Sequence, residues 1–398
     1  MIPSNPALDS LHGLSVGDAL GAQFFVPDNR PYLARRQAPP APWPWTDDTE
    51  MACSVHAAQT ERGRIDSFDL THAFARRQDF DRGYGPAAGR LLRLIREGGD
   101  ARVLAAELFD GQGSLGNGAA MRTAPLGAAH AADPAAAVEP AAATALITHT
   151  HPQAVAGAVA VAVAAAVAAR ARTVPTTGAA LLRAVTALTP AGPVRDAIGE
   201  AAGLLDIDDH HAVAALLGNG SRVTALDTVP FALWTAARHL DDYPQAIWTA
   251  ISAGGDVDTT AAIVGGIVAA RTGTTGIPAD WLAAREPLPA WATPPPGSVA
   301  TADGHRHLTP IRRPRPATVP ADVGLDLPHR RRRPSPAPRG QRPRCVRGAD
   351  RAGTRWLAPR RRRPGVPSHP PAGRHSRTAP PRSAPTALRP RRGRRAGR

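Results

Sequence analysis

Hydrophobic residues recur at helical spacing along most of the first 290 positions, and short polar or glycine-rich segments separate the runs. No segment shows the strict alternation of apolar and polar residues that predicts a half-buried β-strand. An all-α fold is therefore expected for the domain over residues 1–293. The predicted helices cover residues 7–24, 51–60, 67–78, 86–96, 101–109, 140–148, 152–170, 178–188, 193–205, 212–217, 226–240 and 244–253.

Two apolar runs are hydrophobic on all sides, a pattern typical of helices buried inside a sizeable domain. Ala154–Ala169 is rich in alanine and is shorter than the roughly 20 residues that a membrane span requires. This run therefore predicts a core helix, and no membrane partner is expected. The second run belongs to Ile251–Arg271, and after Thr260 it contains no polar side chain before Arg271.

The polar segment that precedes the second run contains Asp256 and Asp258. Buried carboxylates are costly unless a nearby group compensates their charge. Residues two positions apart do not share a helix face. The two carboxylates therefore converge only in the turn that enters the helix, where Gly254 and Gly255 can adopt unusual dihedral angles. A hard cation such as Mg²⁺ would provide the compensation.

A second acidic segment, Thr46-Asp47-Asp48-Thr49, precedes the apolar residues of the predicted helix 51–60. Asp and Thr at the start of a helix also serve as ordinary N-caps, so this segment is ambiguous when it is taken alone. Its arrangement repeats that of Asp256 and Asp258, because each acidic cluster opens an apolar helix. The pair of clusters favours a shared metal site.

The first predicted helix has a glycine at every fourth position, namely Gly13, Gly17 and Gly21. These residues form a smooth stripe that another helix or a ligand can approach closely. Asp18 lies within the stripe. Either it caps a neighbouring helix or it contributes to a site.

Three further segments could contact a ligand or could be plain turns. Arg82–Gly85 is a short glycine loop, and Gly111–Arg122 is a longer one that is expected to enter a helix whose N–H groups suit phosphate. The longer loop has the spacing of neither a Walker loop nor a dinucleotide-binding fingerprint. His149 either contacts a ligand or is a solvated turn residue. His149 and His151 do not indicate a zinc site, because the sequence shows no third nitrogen or sulfur ligand to go with them.

Charge divides the chain into two parts. Residues 1–300 carry 21 Arg against 29 Asp and Glu, whereas residues 301–398 carry 27 Arg against 4 Asp, and the chain has no lysine. The net charge of +15 therefore gives no reason to expect nucleic-acid binding by the body. The Pro- and Arg-rich segment 294–398 is predicted to be disordered. Its arginine runs could bind nucleic acid electrostatically or could simply be solvated.

Cysteine usage and the N-terminal sequence indicate a cytoplasmic setting. Cys53 and Cys345 are the only cysteines, and they form neither a disulfide framework nor a metal-binding pattern. The first residues lack the basic region and long apolar core of a signal peptide.

Six motifs in register over residues 8–285 resemble the ADP-ribosylglycohydrolase family. These motifs are Gly17–Gly21 (GDALG), Trp45–Thr49 (WTDDT), Arg82–Gly85 (RGYG), Gly116–Arg122 (GNGAAMR), Thr148-His149 and Gly254–Thr259 (GGDVDT). The resemblance implies an orthogonal all-α bundle with two Mg²⁺ ions, or Mn²⁺ in some members, at the base of an ADP-ribose site. It implies a substrate that is an ADP-ribosylated protein or a small ADP-ribosyl compound. A monomer is expected.

The resemblance also implies roles for individual residues. Thr46, Asp47 and Asp48 would bind the metals from one side, and Asp256, Asp258 and Thr259 from the other. Asp47 or Asp258 would accept the proton of the attacking water. The residues expected to hold the diphosphate, the adjacent ribose and the rest of ADP-ribose are Gly83, Gly85, Ser114, Leu115, Asn117 and His149.

One position departs from the family pattern. Many members have a glutamate shortly after the first motif, where this chain has Phe25 and no carboxylate before Asp28. The expected activity is hydrolysis of the glycosidic bond at C1″ of an attached ADP-ribosyl group. The alternatives are an ADP-ribose-binding member with little or no turnover and a nucleic-acid-associated protein that acts through its arginine tail.

Overall fold

The computed structural model describes residues 5–293, and in this range it contains helices and no β-strand. The all-α prediction is confirmed. The predicted tail, residues 294–398, lies outside the described residues. The α-helices are α1 (Pro6–Ala22), α2 (Arg30–Ala34), α3 (Asp47–Arg62), α4 (Ser67–Arg77), α5 (Pro86–Arg96), α6 (Ala101–Glu107), α7 (Ala124–Ala128), α8 (Val138–Leu146), α9 (Pro152–Arg170), α10 (Gly178–Leu188), α11 (Pro193–Ala202), α12 (His210–Leu217), α13 (Ala225–Arg238), α14 (Tyr243–Ser252), α15 (Val257–Thr272) and α16 (Ala279–Ala284). Short 3₁₀ helices occupy Gln23–Phe25, Pro27–Asn29, Phe80–Arg82, Asn117–Ala119, Pro134–Ala137, Thr274–Gly276 and Ala290–Ala292.

The long helices agree with the sequence prediction, and the shortest ones were missed or left without bounds. Helices α5, α9 and α10 begin and end where the spacing predicts. Helices α2 and α16 lie outside the predicted helices, and α7 is the helix expected after the loop Gly111–Arg122. These three helices have five or six residues. Such short helices gain little from local propensity, so tertiary packing decides whether they form.

Helices α1 and α15 pack closely along the glycine stripe. A Cβ added at Gly13 would lie 2.4 Å from the Gly265 carbonyl oxygen, and one at Gly17 would lie 2.2 Å from the Ala261 carbonyl oxygen. The backbones therefore touch, and the glycine stripe serves helix packing. At the end of the stripe, a Cβ at Gly21 would lie 2.7 Å from the Asp258 Cα.

This pairing determines where the two acidic clusters can meet. The contacts along the stripe run in opposite sequence order, so α1 and α15 are antiparallel and the end of α1 lies beside the first turn of α15. Helix α1 also packs on α3. The N-terminal turns of α3 and α15 are therefore both held next to the last turns of α1.

Helix α9 forms the centre of the core, as predicted. Every residue from Ala154 to Ala169 is buried, and α9 packs against α7, α8, α10, α13 and α15. By length and composition α9 could cross a membrane, but 89% of its apolar window is buried inside the fold.

Glycine-to-alanine substitutions at the α1–α15 contact and at an exposed helix position should have opposite effects on stability. Gly17→Ala should destabilise the protein by at least about 1–3 kcal/mol, because the new methyl group meets rigid backbone. The exposed Gly199 in α11 has no atom within 4 Å of an added Cβ, so Gly199→Ala should stabilise by about 0.5–1 kcal/mol. Denaturant unfolding measures both changes. Equal stability of Gly17→Ala and the wild-type chain would contradict the packing described.

Candidate metal centre and adjoining ligand residues

The two predicted acidic clusters meet in the structure. Thr46 caps the start of α3, and Asp256 precedes α15 after two glycines with positive φ, Gly254 at 70° and Gly255 at 78°. The prediction that these glycines shape the entering turn is confirmed. Thr259 Oγ1 donates a hydrogen bond of 3.3 Å to Asp48 Oδ2, which joins the start of α15 to the start of α3.

Asp18 of α1 holds the start of α3 in place. It is fully buried and accepts four hydrogen bonds. Two come from Thr46, from its N–H at 2.9 Å and its hydroxyl at 2.8 Å. The other two come from Thr49, from its N–H at 3.1 Å and its hydroxyl at 2.6 Å. The interpretation of Asp18 as a cap for a neighbouring helix is confirmed.

Three carboxylates converge at this junction. Asp18, Asp48 and Asp258 each offer an oxygen, and these oxygens lie within 4.8 Å of one another. Burial, followed by repulsion from neighbouring carboxylates, raises the pKa of Asp48 and of Asp258 well above the ordinary value. Asp48 Oδ1 is buried and has no hydrogen-bond partner among residues 5–293. An oxygen-only donor set with an unpartnered buried oxygen fits a hard divalent cation.

Asp47 and Glu50 lie at the same side of this cluster, since residues three apart share a helix face. Burial and, after it, the charge of Asp18 raise the pKa of Asp47 to about 7. Glu50 Oε2 accepts hydrogen bonds from the Tyr84 hydroxyl at 2.6 Å and from the Asp79 N–H at 3.2 Å. Glu50 was missed from the sequence, although its spacing from Asp47 was a usable signal.

The glycine loop at residues 82–85 is fixed from both ends. Arg82 donates two hydrogen bonds to the carboxylate of Glu286, at 2.7 and 2.8 Å, and its guanidinium lies 3.5 Å from the centre of the Trp45 ring. The Tyr84 bond to Glu50 holds the other end. Gly83 and Gly85 have open space where a Cβ would be, so their backbone is accessible to a ligand.

Asn117 connects the second glycine loop to the acidic cluster. Its side-chain amide donates to Asp256 Oδ2 at 2.6 Å and to Thr228 Oγ1 at 3.0 Å. The expectation that this loop leads into a helix is met by the short α7, which begins at Ala124, and not at Asn117. Residues 117–119 form one 3₁₀ turn, and the Asn117 N–H already donates to the Val223 carbonyl oxygen at 3.2 Å. The loop therefore offers no helix N-terminus for phosphate at this point.

Ser114 and His149 are both buried beside Gly116. A Cβ at Gly116 would lie 3.2 Å from Ser114 Oγ and 3.3 Å from His149 Nε2. The alternative of a solvated turn histidine is therefore wrong. Burial, followed by the charge of Arg122, lowers the pKa of His149 to about 3, so the ring is neutral at physiological pH. Leu115 is 36% exposed next to this group.

The segment after α1 supplies no buried carboxylate. Phe25 ends the 3₁₀ turn Gln23–Phe25 with 54% of its surface exposed, and Asp28 is also exposed.

Comparisons with known proteins converge on one family. The family model described as ADP-ribosylglycohydrolase matches residues 3–302. The ADP-ribosylhydrolase ARH3 of Xenopus tropicalis is 28% identical over 312 residues, which cover 68% of this chain and 88% of that protein. The ADP-ribosyl-[dinitrogen reductase] glycohydrolase of Rhodospirillum rubrum is 27% identical over 291 residues, with 69% and 88% covered. A solved ADP-ribosylglycohydrolase-related protein complex is similar with 27% identity, 71% and 92% coverage and a TM-score of 0.49.

The raised pKa of Asp47 predicts a stability crossover for Asp47→Asn. Between the unfolded pKa of 3.8 and the folded value of about 7, the folded wild-type chain binds more protons than the unfolded chain. The free energy of unfolding of the wild-type chain therefore decreases as the pH rises through this range, because of Asp47. In a chelator, Asp47→Asn should match the wild type near pH 4 and become the more stable protein by pH 8.

Saturating Mg²⁺ should reverse this order, because a cation that binds only the folded state stabilises the wild type more. Urea unfolding at several pH values, with EDTA or with Mg²⁺, measures the difference. The exposed Asp280 provides the control, and Asp280→Asn should change stability little in any condition. A wild-type chain that stays the more stable one in EDTA at pH 8 would refute the electrostatic description.

Proposed function

Because this chain belongs to the ADP-ribosylglycohydrolase family, we propose that it cleaves the glycosidic bond at C1″ of an ADP-ribosyl group attached to a protein side chain. In this hydrolysis the oxygen of a water bonds to C1″ and the side-chain atom leaves. The observation that carries the proposal is the junction of α1, α3 and α15, where the carboxylates of Asp18, Asp48 and Asp258 converge and Asp48 Oδ1 has no hydrogen-bond partner among the described residues.

Two Mg²⁺ ions are the proposed cofactors, and Mn²⁺ would suit the same oxygen donors. Bound ions would orient the ribose hydroxyls and lower the pKa of a water. The residues proposed to hold them lie on two helix starts. Thr46, Asp47 and Asp48 belong to the start of α3, and Asp256, Asp258 and Thr259 belong to the start of α15.

We propose Asp47 or Asp258 as the group that takes the proton of the attacking water. Asp47 is one candidate, because it lies at the start of α3 beside Asp48 and a carboxylate can accept a proton from a bound water. Asp258 is the alternative, since its carboxylate lies in the cluster with Asp18 and Asp48.

The residues proposed to hold ADP-ribose are His149 and residues of the two glycine loops, which hydrogen bonds from Tyr84 to Glu50 and from Asn117 to Asp256 join to the acidic helix starts. Gly83 and Gly85 offer exposed backbone, and Asn117 is hydrogen-bonded to Asp256. A neutral His149 can contact the ligand without adding charge. Ser114 and Leu115 complete the proposed set.

The name of one relative supports the proposed substrate class. The name of the Rhodospirillum rubrum enzyme states an ADP-ribosylated protein, dinitrogen reductase, as its substrate. We propose an ADP-ribosylated protein for this chain, with a small ADP-ribosyl compound as the alternative.

The proposed metal site predicts the behaviour of Asp256→Asn. Mg²⁺ affinity should fall by at least about 10-fold, because a carboxylate ligand becomes a neutral amide that can still pair with Asn117. Release of ADP-ribose from arginine- and serine-linked ADP-ribosyl peptides should fall with it. Calorimetry measures the first quantity, and chromatography of released ADP-ribose measures the second.

Asp280→Asn is again the control and should retain wild-type release and metal affinity. Equal release by Asp256→Asn and the wild type would remove Asp256 from the metal site. Tight ADP-ribose binding by the wild type without any release from either peptide would favour a binding protein over a hydrolase of these linkages.

A further inference from the structure

We propose that Thr148, itself held by Arg122, is a positioning residue that fixes His149 as the Nε2–H tautomer and presents this donor to the ligand at Gly116 and Gly118. The ligand part rests on the proposed function, in which His149 contacts ADP-ribose. The tautomer itself can be measured without any ligand.

The inference begins with a buried arginine. Arg122 is fully buried, and its Nη2 donates to the Thr144 carbonyl oxygen at 2.6 Å and to Thr148 Oγ1 at 3.0 Å. A guanidinium is a donor only, so the Thr148 oxygen is the acceptor in this bond. The same oxygen lies 2.7 Å from His149 Nδ1.

The hydroxyl proton of Thr148 then decides the tautomer of His149. Thr148 is buried, and in the part of the chain that the structure describes His149 Nδ1 is the acceptor within reach of this proton. If Nδ1 carried its own proton, the Thr148 hydroxyl would become a buried donor without a partner, which is costly. The satisfied arrangement has Thr148 as the donor to Nδ1, and the ring proton is therefore on Nε2.

The Nε2 atom faces the second glycine loop. A Cβ at Gly116 would lie 3.3 Å from it, and a Cβ at Gly118 would lie 3.1 Å from it. Two glycines therefore keep the space beside this nitrogen free of side chains. Ser114 Oγ lies 3.2 Å from the same Gly116 position. An N–H donor beside a hydroxyl suits an acceptor oxygen, such as a phosphate or ribose oxygen of ADP-ribose.

Arg122 is well suited to hold Thr148 because its own position is fixed. Its Nη1 lies 3.4 Å from the Met51 sulfur on α3, and its guanidinium lies 4.7 Å from the centre of the Phe74 ring. The sequence of contacts thus runs from α3, which carries the acidic cluster, through Arg122 and Thr148 to His149. Burial beside this cation keeps His149 neutral, so the choice between the two neutral tautomers is the one that matters.

Two substitutions of Thr148 separate the effect of the hydroxyl group from the effect of side-chain size. Thr148→Val keeps the shape and removes the hydroxyl, whereas Thr148→Ser keeps the hydroxyl. Long-range ¹H–¹⁵N correlation spectra of the imidazole ring, assigned with His149→Gln, report the tautomer in the full-length protein without ligand. The wild type and Thr148→Ser should show the Nε2–H form, and Thr148→Val should lose this fixed tautomer.

Calorimetry with ADP-ribose and Mg²⁺ supplies the second measurement. Thr148→Val should bind ADP-ribose about 10-fold more weakly, and Thr148→Ser should recover most of the affinity. With an ADP-ribosyl peptide, the loss should raise KM and leave kcat nearly unchanged. Loss of both affinity and kcat in Thr148→Val and Thr148→Ser alike would indicate general damage and overturn the positioning role.

An Nδ1–H tautomer in the wild type would overturn the proposal without any variant, even if Thr148→Val failed to fold. An unchanged tautomer and affinity in Thr148→Val would overturn it equally. If the wild type bound no ADP-ribose, the proposed function would fail, and so would the ligand part of this proposal. The spectra would still decide whether Thr148 sets the tautomer.

Discussion

The hydrogen bonds that Asp18 accepts are the interaction on which the whole site depends. A fully buried carboxylate is expensive, and here four donors from two threonines offset the cost. All four donors are neutral, so they satisfy the oxygens without neutralising a carboxylate, and burial raises the pKa of Asp18 itself. Burial and, after it, repulsion from Asp18 raise the pKa of Asp47 and Asp48. Asp18 therefore orders the start of α3 and also favours the binding of a cation or a proton there.

This requirement is built on a rigid support. Helices α1 and α15 touch through their backbones along the glycine stripe, so neither can shift to relieve repulsion between Asp18 and Asp258 without losing close packing. Relaxation by movement is thus restricted, and neutralisation by a bound cation or by protonation is the remaining way to lower the electrostatic free energy. Cation binding would then contribute directly to the free energy of folding.

Local rules were sufficient for the longer helices and for the two acidic turns, because periodicity, glycine dihedral freedom and capping act over a few residues. They were insufficient wherever a distant segment decides the outcome. The bond between Glu50 and Tyr84, the membership of Asp18 in the carboxylate cluster and the burial of His149 all depend on contacts between segments far apart in the chain. The 3₁₀ turn at Asn117 has the same origin, since its N–H donates to the Val223 carbonyl oxygen.

Three contacts join the loops 82–85 and 111–122, which are proposed to hold ADP-ribose and are here called the ligand side, to α3 and to the start of α15. Asn117 donates to Asp256 at the start of α15, Tyr84 donates to Glu50 on α3, and Arg122 contacts Met51 on the same helix. Each contact joins a residue of the ligand side to a helix that begins with a proposed metal ligand. A displacement of either helix start would therefore move the ligand side, and ordering the ligand side would order the carboxylates. Occupation of one side should consequently favour occupation of the other, because both bias the same arrangement of α3 and α15.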